Sequence, residues 1–446
     1  MNASEIRRNF VDYYTGLGFH PLPRAPMLHP SIPMSFVMSA GLVQVETSLA
    51  HANERPGDQF VLVQECFRHF DLDKVGTDGI HLSLFEMPGA FVFGPNGKAE
   101  TIHRMWVLAT AILGIDKGRL WASYFKGGRV LGDDVPEDEV TRQTWLDVGM
   151  PESRIVGLGP DDNYWTQGGG IEGTETPRKA GPNTELFYER EDKRSCGADC
   201  KPGCRCGRFV EFSNSLFICR EQNAQSGNLL PLAEPFSETV IGTERVAMIL
   251  QGAPSVFDTD SYRPVMDTIH DFIHKPQLPG PLVTASKRVI ADYLRALYVL
   301  VADGAPPPGK NGRERIIKLL IRGVLTHQIV LGIDSQRFLP DLIDLISQTI
   351  PSSLQVTPGD KKRLVLYFTN ESRRFSKTIK RGKCQLVRLL EENSERTLSG
   401  PQLVCLEKNW GLPHVLIAAI LRENGLVFAS QEYEEALEAW KDNSHN

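Results

Sequence analysis

Four cysteines lie close together in the chain and could bind a metal ion. Cys196, Cys200, Cys204 and Cys206 fall within one stretch of eleven residues, whose glycines and proline favour tight turns. Four thiolates can surround Zn²⁺ tetrahedrally, which is the arrangement of a structural zinc site. The alternative is a group of reduced surface cysteines without a ligand. We expect metal ligands rather than disulfides, because the start of the chain lacks the apolar segment of a secretory signal.

Two arginines follow predicted strands and could bind phosphate groups. Arg68 ends the run 66–68 (CFR), and Arg245 ends the run 240–245 (VIGTER). A guanidinium can bind a phosphate through two parallel hydrogen bonds and can stabilise negative charge that builds on it during a reaction. Gly242 would let the backbone approach a nucleotide closely. Either stretch alone is weak, since an arginine after a strand is more often a surface residue, but together they favour a nucleotide site.

The stretches around these arginines resemble known sequence motifs. The strand that ends at Arg68, the loop after it and the returning segment 81–87 (HLSLFEM) resemble the second motif of class II aminoacyl-tRNA synthetases, and 240–245 resembles the third. Further stretches resemble alanyl-tRNA synthetases in order and spacing: 39–44 (SAGLVQ), 85–93 (FEMPGAFVF), 162–165 (DNYW), 181–182 (GP), 185–188 (ELFY), 211–214 (EFSN), 288–292 (RVIAD) and 301–304 (VADG). The resemblance covers nearly the whole chain and corresponds to the catalytic and tRNA-recognition portion of that family. A divergent paralogue of the family would carry the same motifs.

The resemblance implies a binding site for ATP. Arg68 would bind the α-phosphate, which gains negative charge when an amino-acid carboxylate attacks it. His81 would lie near the outer phosphates, and Phe85 would offer its ring to adenine. Arg245 would hold the γ-phosphate and keep ATP bent. Mg²⁺ would neutralise the departing pyrophosphate, and Glu211 is a candidate ligand for it.

The resemblance also implies a small amino-acid pocket. Met87 and Trp165 would wall it and Asn214 would contact the substrate, although Met87 and Trp165 could instead be ordinary core residues. The family usually has Asp-Thr-Gly at the start of the third motif, where the acid holds the α-ammonium group. Glu238 and Val240 occupy the Asp and Gly positions here, and both add bulk toward the pocket. We expect a pocket for alanine or glycine, or one reshaped for an unusual small amino acid.

The expected tRNA-binding residues depart from the family pattern. Asn311 is retained, but Lys408 stands where an acidic residue is usual. We therefore expect binding to a tRNA acceptor stem with altered specificity. A basic run at 373–383 could follow an RNA backbone or could be an ordinary solvated helix face. The resemblance ends where the family's editing and oligomerising regions would begin, so we favour a monomer.

Composition narrows the class of protein. The chain has 446 residues, enough for two or three domains, with 41% hydrophobic and 23% charged residues. A formal net charge of −6 argues against non-specific nucleic-acid binding but leaves a local basic face open. No apolar run approaches the roughly 18 residues that a membrane helix needs. We expect a cytoplasmic protein that does not enter the membrane.

Periodicity predicts an α+β domain followed by a helical one. In the first part we predict a helix at 4–14 with Ser4 as N-cap, strands at 59–67 and 209–219, a helix at 100–113 and a loop at 168–181. Helices in the second part are predicted at 285–302, 313–331, 339–350, 361–392, 413–423 and 431–441, with a turn at 304–312.

The fold class expected from these elements is a class II antiparallel sheet flanked by helices, followed by an all-helical domain. Residues 1–255 would form the aminoacylation domain, with a Cys-rich insertion near 196–206. Residues 256–446 would form a helical domain for tRNA recognition.

Three functions are consistent with these features. The favoured one is ATP-dependent activation of a small amino acid and its transfer to tRNA. The second is a paralogue that passes the activated amino acid to a carrier protein or a small metabolite. The third is a non-catalytic tRNA-binding or regulatory protein, which would not need Arg68, His81, Phe85 and Arg245 together.

Overall fold

The chain forms two compact units. The structure, a computed structural model, describes residues 1–29, 32, 34–39, 57–94, 97–167, 178–223, 227–275, 278–350, 354, 356–392 and 397–444. The first unit comprises Met1–Met27, Val37–Phe67 and Phe85–Ser261. The second comprises Leu28–Phe36, Arg68–Leu84 and Tyr262–Asn446. The motif stretch 39–44 lies mostly outside the described residues, as does most of the predicted loop 168–181.

A mixed sheet organises the first unit. Its strands, in the order in which they lie side by side, are β1 (His20–Pro21), β2 (Gln59–Phe67), β3 (Leu84–Phe93), β11 (Leu229–Ile241), β10 (Phe209–Gln222), β9 (Arg178–Glu189), β4 (Leu120–Phe125) and β7 (Ile155–Leu158). A further strand, β8 (Tyr164–Thr166), pairs with β9, and β5 (Gly128–Val130) pairs with β6 (Asp133–Val135). The strands from β3 to β4 pair antiparallel, whereas β1 with β2 and β4 with β7 pair parallel.

The predicted α+β fold is confirmed, with local corrections. Strand β2 has the predicted bounds and β10 contains its predicted segment. The predicted loop 168–181 is wrong over 178–181, which open β9. The returning segment of the second motif is a strand only from Leu84, so His81 precedes it.

Within the described residues, the α-helices of the first unit are α1 (Ala3–Gly16), α2 (Lys98–Val107), α3 (Glu139–Asp147), α4 (Pro160–Asn163) and α5 (Thr243–Leu250), with a π-helical turn at Leu108–Ile112 after α2. All but the shortest, α4, contribute to a buried cluster on one face of the sheet. The buried side chains of α1, among them Ile6, Phe10 and Tyr14, pack with Val61 and Ala90 of the sheet. The N-cap of α1 is Asn2 rather than Ser4, because the side chains of Asn2 and Glu5 each accept the other's backbone N–H. This reciprocal pair satisfies two N–H groups that the first turn leaves unbonded.

The second unit is built of helices. They are α6 (Arg263–Asp271), α7 (Gly280–Ala302), α8 (Gly312–Leu331), α9 (Phe338–Thr349), α10 (Pro358–Glu392), α11 (Gly400–Lys408), α12 (His414–Glu423) and α13 (Ser430–Ser444). The predicted helices are confirmed to within a few residues, and the sequence prediction missed α6 and α11. Helix α7 is buried almost continuously from Val289 to Val301, because it packs against α6, α8, α9 and α10.

Two short segments from the first half of the sequence belong to this helical unit. The guanidinium of Arg313 donates to the carbonyls of His29, Ile32 and Ser35. In the other segment, the backbone N–H of Ser83 donates to the buried carboxylate of Asp292, at 3.0 Å to Oδ2. Burial raises the pKa of Asp292 to about 7, although the hydrogen bonds from Ser83 oppose that rise. These contacts attach the loop of the second motif to α7.

The described residues contain no helix with both the length and the apolarity that a bilayer crossing requires.

A buried ion pair joins the strand of the second motif to α1. Glu86 of β3 is 2% exposed, and its carboxylate accepts from the Nε of Arg7 at 2.9 Å and from the Thr243 hydroxyl at 2.7 Å. The backbone N–H of Glu86 in turn donates to Glu244 at 3.1 Å. These bonds tie β3 to the first turn of α5, which carries the third motif.

We predict that Arg7→Ala destabilises the protein by about 3 kcal/mol, because removing one partner leaves a buried charge uncompensated. Arg8→Ala is the matched control, since Arg8 is the exposed neighbour on the same helix, and it should cost less than about 0.5 kcal/mol. Urea unfolding of the three proteins provides the measurement. Equal midpoints for the two variants would contradict the role of the Arg7–Glu86 pair.

Candidate active-site face of the sheet

The face of the sheet opposite α1 carries the predicted amino-acid-binding residues together. In an antiparallel sheet, directly paired residues point to the same face and side chains alternate along each strand. Asn214 pairs with Val240 and with Glu185, and Val240 pairs with Gly89. Glu238 lies two residues before Val240, and Met87 two residues before Gly89. We call this surface the substrate face and define it by Phe85, Met87, Trp165, Glu185, Asn214, Glu238 and Val240.

One end of the substrate face is apolar. Phe60, Phe91, Ile218 and Phe236 form a buried cluster there, and the half-buried Trp165 packs against it. Trp165 pairs with Gly181 of β9, so β8 places the indole on this face. The role of Trp165 as a pocket wall stays a prediction, since its contact with the cluster also suits a core residue.

Glu238 is a buried acid in these apolar surroundings. It is 4% exposed and is paired across the sheet with Phe91 and Leu216. Its carboxyl has no hydrogen-bond or ion-pair partner in the described part of the chain. Burial raises its pKa to about 8. A carboxyl group in such a place is stabilised when a cation comes to it.

The middle of the substrate face carries a second set of polar groups. The Nδ2 of Asn214 donates to Glu185 Oε1 at 3.2 Å. The Oδ1 of Asn214 is buried and accepts no hydrogen bond from the described residues. Burial, and then the nearby charges of Glu211 and Asp162, raise the pKa of Glu185 well above its usual range. An N–H donor on a ligand would satisfy the Asn214 oxygen.

Arg245 lies at the start of α5 and is held by the neighbouring strand. Its Nη1 donates to the backbone carbonyl of Glu211 at 2.8 Å and to the Glu211 carboxylate at 3.1 Å. The side chain is 29% exposed, so part of the guanidinium remains accessible to a phosphate. Because Glu211 already binds Arg245, a metal ion on Glu211 would share that carboxylate with the arginine.

Gly242 precedes Arg245 in an ordinary extended conformation, with φ −91°. A Cβ atom there would meet only the Arg245 side chain, at 3.8 Å or more. The described residues therefore give no steric reason for glycine, and close approach of a nucleotide stays a prediction.

The loop of the second motif holds the other predicted phosphate ligands. The backbone N–H of Arg68 donates to the Ser83 carbonyl at 2.9 Å. His81 Nδ1 lies 2.5 Å from Asp78 Oδ2, and the hydrogen bonds from His81 and Ile80 lower the pKa of Asp78 against the effect of burial. With Nδ1 bound to Asp78, Nε2 is the nitrogen of His81 left for a ligand. Arg68 and His81 belong to the second unit, whereas Phe85 and Arg245 belong to the first.

The four clustered cysteines lie in the connection between β9 and β10. Their sulfur atoms all lie within 4.8 Å of one another, with 3.1 Å between Cys196 and Cys204 and 3.7 Å between Cys200 and Cys206. Tetrahedral Zn²⁺ with Zn–S bonds of about 2.3 Å places its sulfurs about 3.8 Å apart. The thiols therefore fit a closed four-sulfur metal site.

Comparison with known proteins identifies the family. The family described as tRNA synthetases class II (A) matches residues 5–446. The chain belongs to the class II (A) tRNA synthetases. An alanine–tRNA ligase from Alkaliphilus metalliredigens (strain QYMF) is 30% identical over 443 residues, which are 98% of this chain and 48% of that protein. One from Desulforudis audaxviator (strain MP104C) is 32% identical over 444 residues, with the same coverage. The chain thus spans about half the length of the curated relatives it matches.

A solved structure of histidyl-tRNA synthetase from S. aureus overlaps 62% of this chain and 76% of its own, with a TM-score of 0.34 and 11% identity. That likeness is too low to support any conclusion on its own.

The residues expected to contact tRNA in this class II synthetase lie in the helical unit. Asn311 precedes α8 as its N-cap, and its exposed side chain makes no capping hydrogen bond. Lys408 ends α11, where its ammonium lies 3.0 Å from Glu407 and 5.7 Å from the centre of the Trp440 ring. Lys408 is thus engaged within the protein, whereas Asn311 presents its amide to solvent.

Several residues of the candidate site were not singled out from the sequence. The motif stretches contain Glu185 and Glu86 but predict no role for either, and the sequence predicts none for Asp78. An acidic residue within a predicted strand could have indicated a site residue, since a buried acid needs a hydrogen-bond partner or a cation. The sequence could not reveal which face each acid occupies or which partner it meets.

We predict that Glu238 makes the synthetase less stable as pH rises. A carboxyl with a raised native pKa costs nothing below its unfolded pKa, about 4.3, where both states are protonated. Between that value and about 8 the unfolded state loses the proton first, so the free energy of unfolding falls, by on the order of 5 kcal/mol in total.

Urea unfolding from pH 5 to 9 measures this effect. Glu238→Gln should remove that part of the pH dependence, whereas Glu234→Gln, at an exposed position of the same strand, should leave it. Identical pH profiles for all three proteins would refute the assignment to Glu238.

Proposed function

We propose that the protein activates a small amino acid with ATP and transfers the resulting aminoacyl group to tRNA. The observation that carries this proposal is the substrate face, where the Glu238 carboxyl and the Asn214 Oδ1, both without a partner among the described residues, share one side of the sheet. Both groups suit the α-ammonium of an amino acid. Membership of the tRNA synthetase family and the alanine–tRNA ligase relatives support the same reaction.

In the first step, the amino-acid carboxylate attacks the α-phosphorus of ATP. A new P–O bond forms, the bond to the β-phosphate oxygen breaks, and pyrophosphate leaves. Arg68 binds the α-phosphate, Arg245 binds the γ-phosphate and Phe85 stacks on adenine. His81 donates from Nε2 toward the outer phosphates. These groups act by position and charge and need no covalent intermediate on the protein.

Magnesium, when bound with ATP, supplies charge neutralisation of the pyrophosphate. We assign Glu211 of β10 as its ligand, because the Glu211 carboxylate lies beside Arg245 at the start of α5. The Arg245–Glu211 contact then keeps both groups placed for the triphosphate.

The amino acid is held by its ammonium group and limited by the bulk around it. Glu238 accepts the ammonium, which supplies the cation that the buried carboxyl lacks, and the Asn214 oxygen accepts a second N–H. Val240 is 5% exposed and fills space that a glycine would leave open. Met87 and Trp165 complete the walls, so we assign alanine or glycine as substrate.

We assign binding of the acceptor molecule to residues 256–446 and activation of the amino acid to residues 1–255. Asn311 is free to contact an acceptor stem. Lys408 is engaged with Glu407 and Trp440, which favours a tRNA specificity different from that of the relatives. The same observation leaves a carrier protein or a small metabolite as the alternative acceptor. A reaction on tRNA would take place in the cytoplasm.

Amino-acid-dependent pyrophosphate exchange tests the activation step. We expect exchange with alanine or glycine, and we expect Arg245→Gln to lower the rate about 100- to 1000-fold, since it removes a group that stabilises the transition state. Arg129→Gln, at an exposed arginine of the same unit, should change it less than twofold.

The same assay followed by addition of tRNA separates the three functions. Exchange with charging supports the proposal, and exchange without charging supports the alternative acceptor. Absence of exchange with every amino acid would leave a non-catalytic protein, and strong exchange with a bulky amino acid would refute the small pocket.

We further propose that Cys196, Cys200, Cys204 and Cys206 hold a structural zinc ion. Four protein thiolates leave no position open for substrate, so the metal supplies folding energy rather than chemistry. The loop closes between β9 and β10, where Arg208 Nε donates to Glu189 at 3.1 Å. A metal ion in this loop would fix the start of β10 and so help to position Glu211 and Asn214 of that strand.

Metal analysis of the purified protein tests the zinc proposal. We expect about one zinc per chain, a loss of zinc in Cys204→Ser and no loss in Cys384→Ser, at an exposed cysteine of α10. Chelation should also speed proteolysis in the 190–208 loop. Equal zinc content in both variants would contradict the assignment.

A further inference from the structure

A stretch of α10 carries cations without acids. Between residues 373 and 383 the sequence has six basic residues and no acidic one, and all six are exposed. We call them the basic stripe: Arg373, Arg374, Lys377, Lys380, Arg381 and Lys383. The protein as a whole carries a net charge of −6, so the stripe is a local feature and not a consequence of overall composition.

The stripe lies opposite the core side of α10. Phe375, Ile379 and Leu386 are buried in the hydrophobic cluster of the helical unit, and Gly382 is buried against Leu412. At 3.6 residues per turn, residues 373, 377 and 380 fall on one line on the far side of the helix. The cations therefore point away from the protein.

The stripe lacks the ion pairs that other cations of α10 make. Lys361, Arg363 and Arg388 lie within 3 Å of acidic partners. Within the described residues, the stripe has a single contact of this kind, between Arg374 and Glu371 at 4.0 Å. In the part of the chain that the structure describes, its charge is thus compensated only by that one long contact, which favours an anionic ligand.

We propose that the basic stripe binds the phosphate backbone of the tRNA substrate. This inference rests on the proposed function and gives the RNA a second contact beyond its reactive end. The ten residue steps from Arg373 to Lys383 span about 15 Å of helix, which matches roughly four phosphates of one strand. Contacts of this kind position a nucleic acid without reading its sequence.

An RNA backbone fits the stripe better than a protein partner does. Protein interfaces have an apolar or aromatic centre and are poor in lysine. The residues between these cations that are not buried are small and polar, the exposed Ser376 and the half-buried Thr378. A row of long cations around small polar residues suits phosphates, which are bound by charge alone.

The test compares two triple variants. Lys377→Gln/Lys380→Gln/Arg381→Gln removes half of the stripe. Lys117→Gln/Lys126→Gln/Lys441→Gln removes three scattered exposed lysines that have no ion pair in the described part of the chain. Binding of a labelled tRNA transcript is measured by anisotropy between about 50 and 200 mM salt, with circular dichroism to confirm that α10 is folded.

We expect the stripe variant to bind the tRNA at least tenfold more weakly, with a slope of log K against log salt reduced by about 2 to 3. The scattered variant should change affinity less than twofold. Equal slopes for the two variants would overturn the inference. So would loss of binding to an acidic carrier protein with tRNA binding intact, because the stripe would then be a protein-docking surface.

Pyrophosphate exchange on the same preparations separates the two proposals. Exchange together with a reduced salt slope supports both. A reduced slope in a protein without any exchange supports the stripe and refutes activation. Exchange with an unchanged slope refutes the stripe alone.

Discussion

The proposed amino-acid site depends on one buried acid, Glu238, that has no protein partner in the described residues. Glu238 lies between Phe91 and Leu216 of the neighbouring strands, which cannot solvate a carboxylate. The group therefore stays protonated or binds a cation. Antiparallel pairing places it on the same face as Asn214, whose Oδ1 accepts no hydrogen bond from the part of the chain that the structure describes. One strand register therefore buries the Glu238 carboxyl and sets it beside the Asn214 oxygen, the pair that we propose binds an ammonium group.

The surroundings of Arg245, which we propose to bind the γ-phosphate, differ from those of Glu238 because they are already hydrogen-bonded. Arg245 is held by Glu211, and Glu86 joins β3 to α1 and to α5 through Arg7, Thr243 and the carboxylate of Glu244. The bonds to Glu211 restrict the Arg245 guanidinium, so that the nucleotide we propose there would cost less entropy to bind. In the proposed site, the amino-acid side thus presents groups without a partner in the described residues, whereas the nucleotide side is already hydrogen-bonded.

The sequence predicts the elements better than it predicts their partners. The run 59–67 is rich in Val and Phe, and it forms β2 with those bounds, whereas Ser4 is displaced as N-cap because Asn2 and Glu5 cap each other. Strand β9 begins inside a predicted loop, because pairing with β10 overrides its glycine and proline. Resemblance to the family predicts which residues bind the amino acid, and the sheet brings these residues to one face: Met87, Trp165, Asn214, Glu238 and Val240. Partners such as Glu185 depend on register, which no local pattern contains.

Proton release on ligand binding tests the central claim about Glu238 most directly. The binding of a non-hydrolysable alanyl-adenylate analogue at pH 7 is measured by calorimetry in buffers of different ionisation enthalpy. Because the carboxyl is mostly protonated at this pH and must ionise to hold the ammonium, we predict release of close to one proton by the wild-type protein and none by Glu238→Gln. Tight binding without proton release in the wild-type protein would contradict the account.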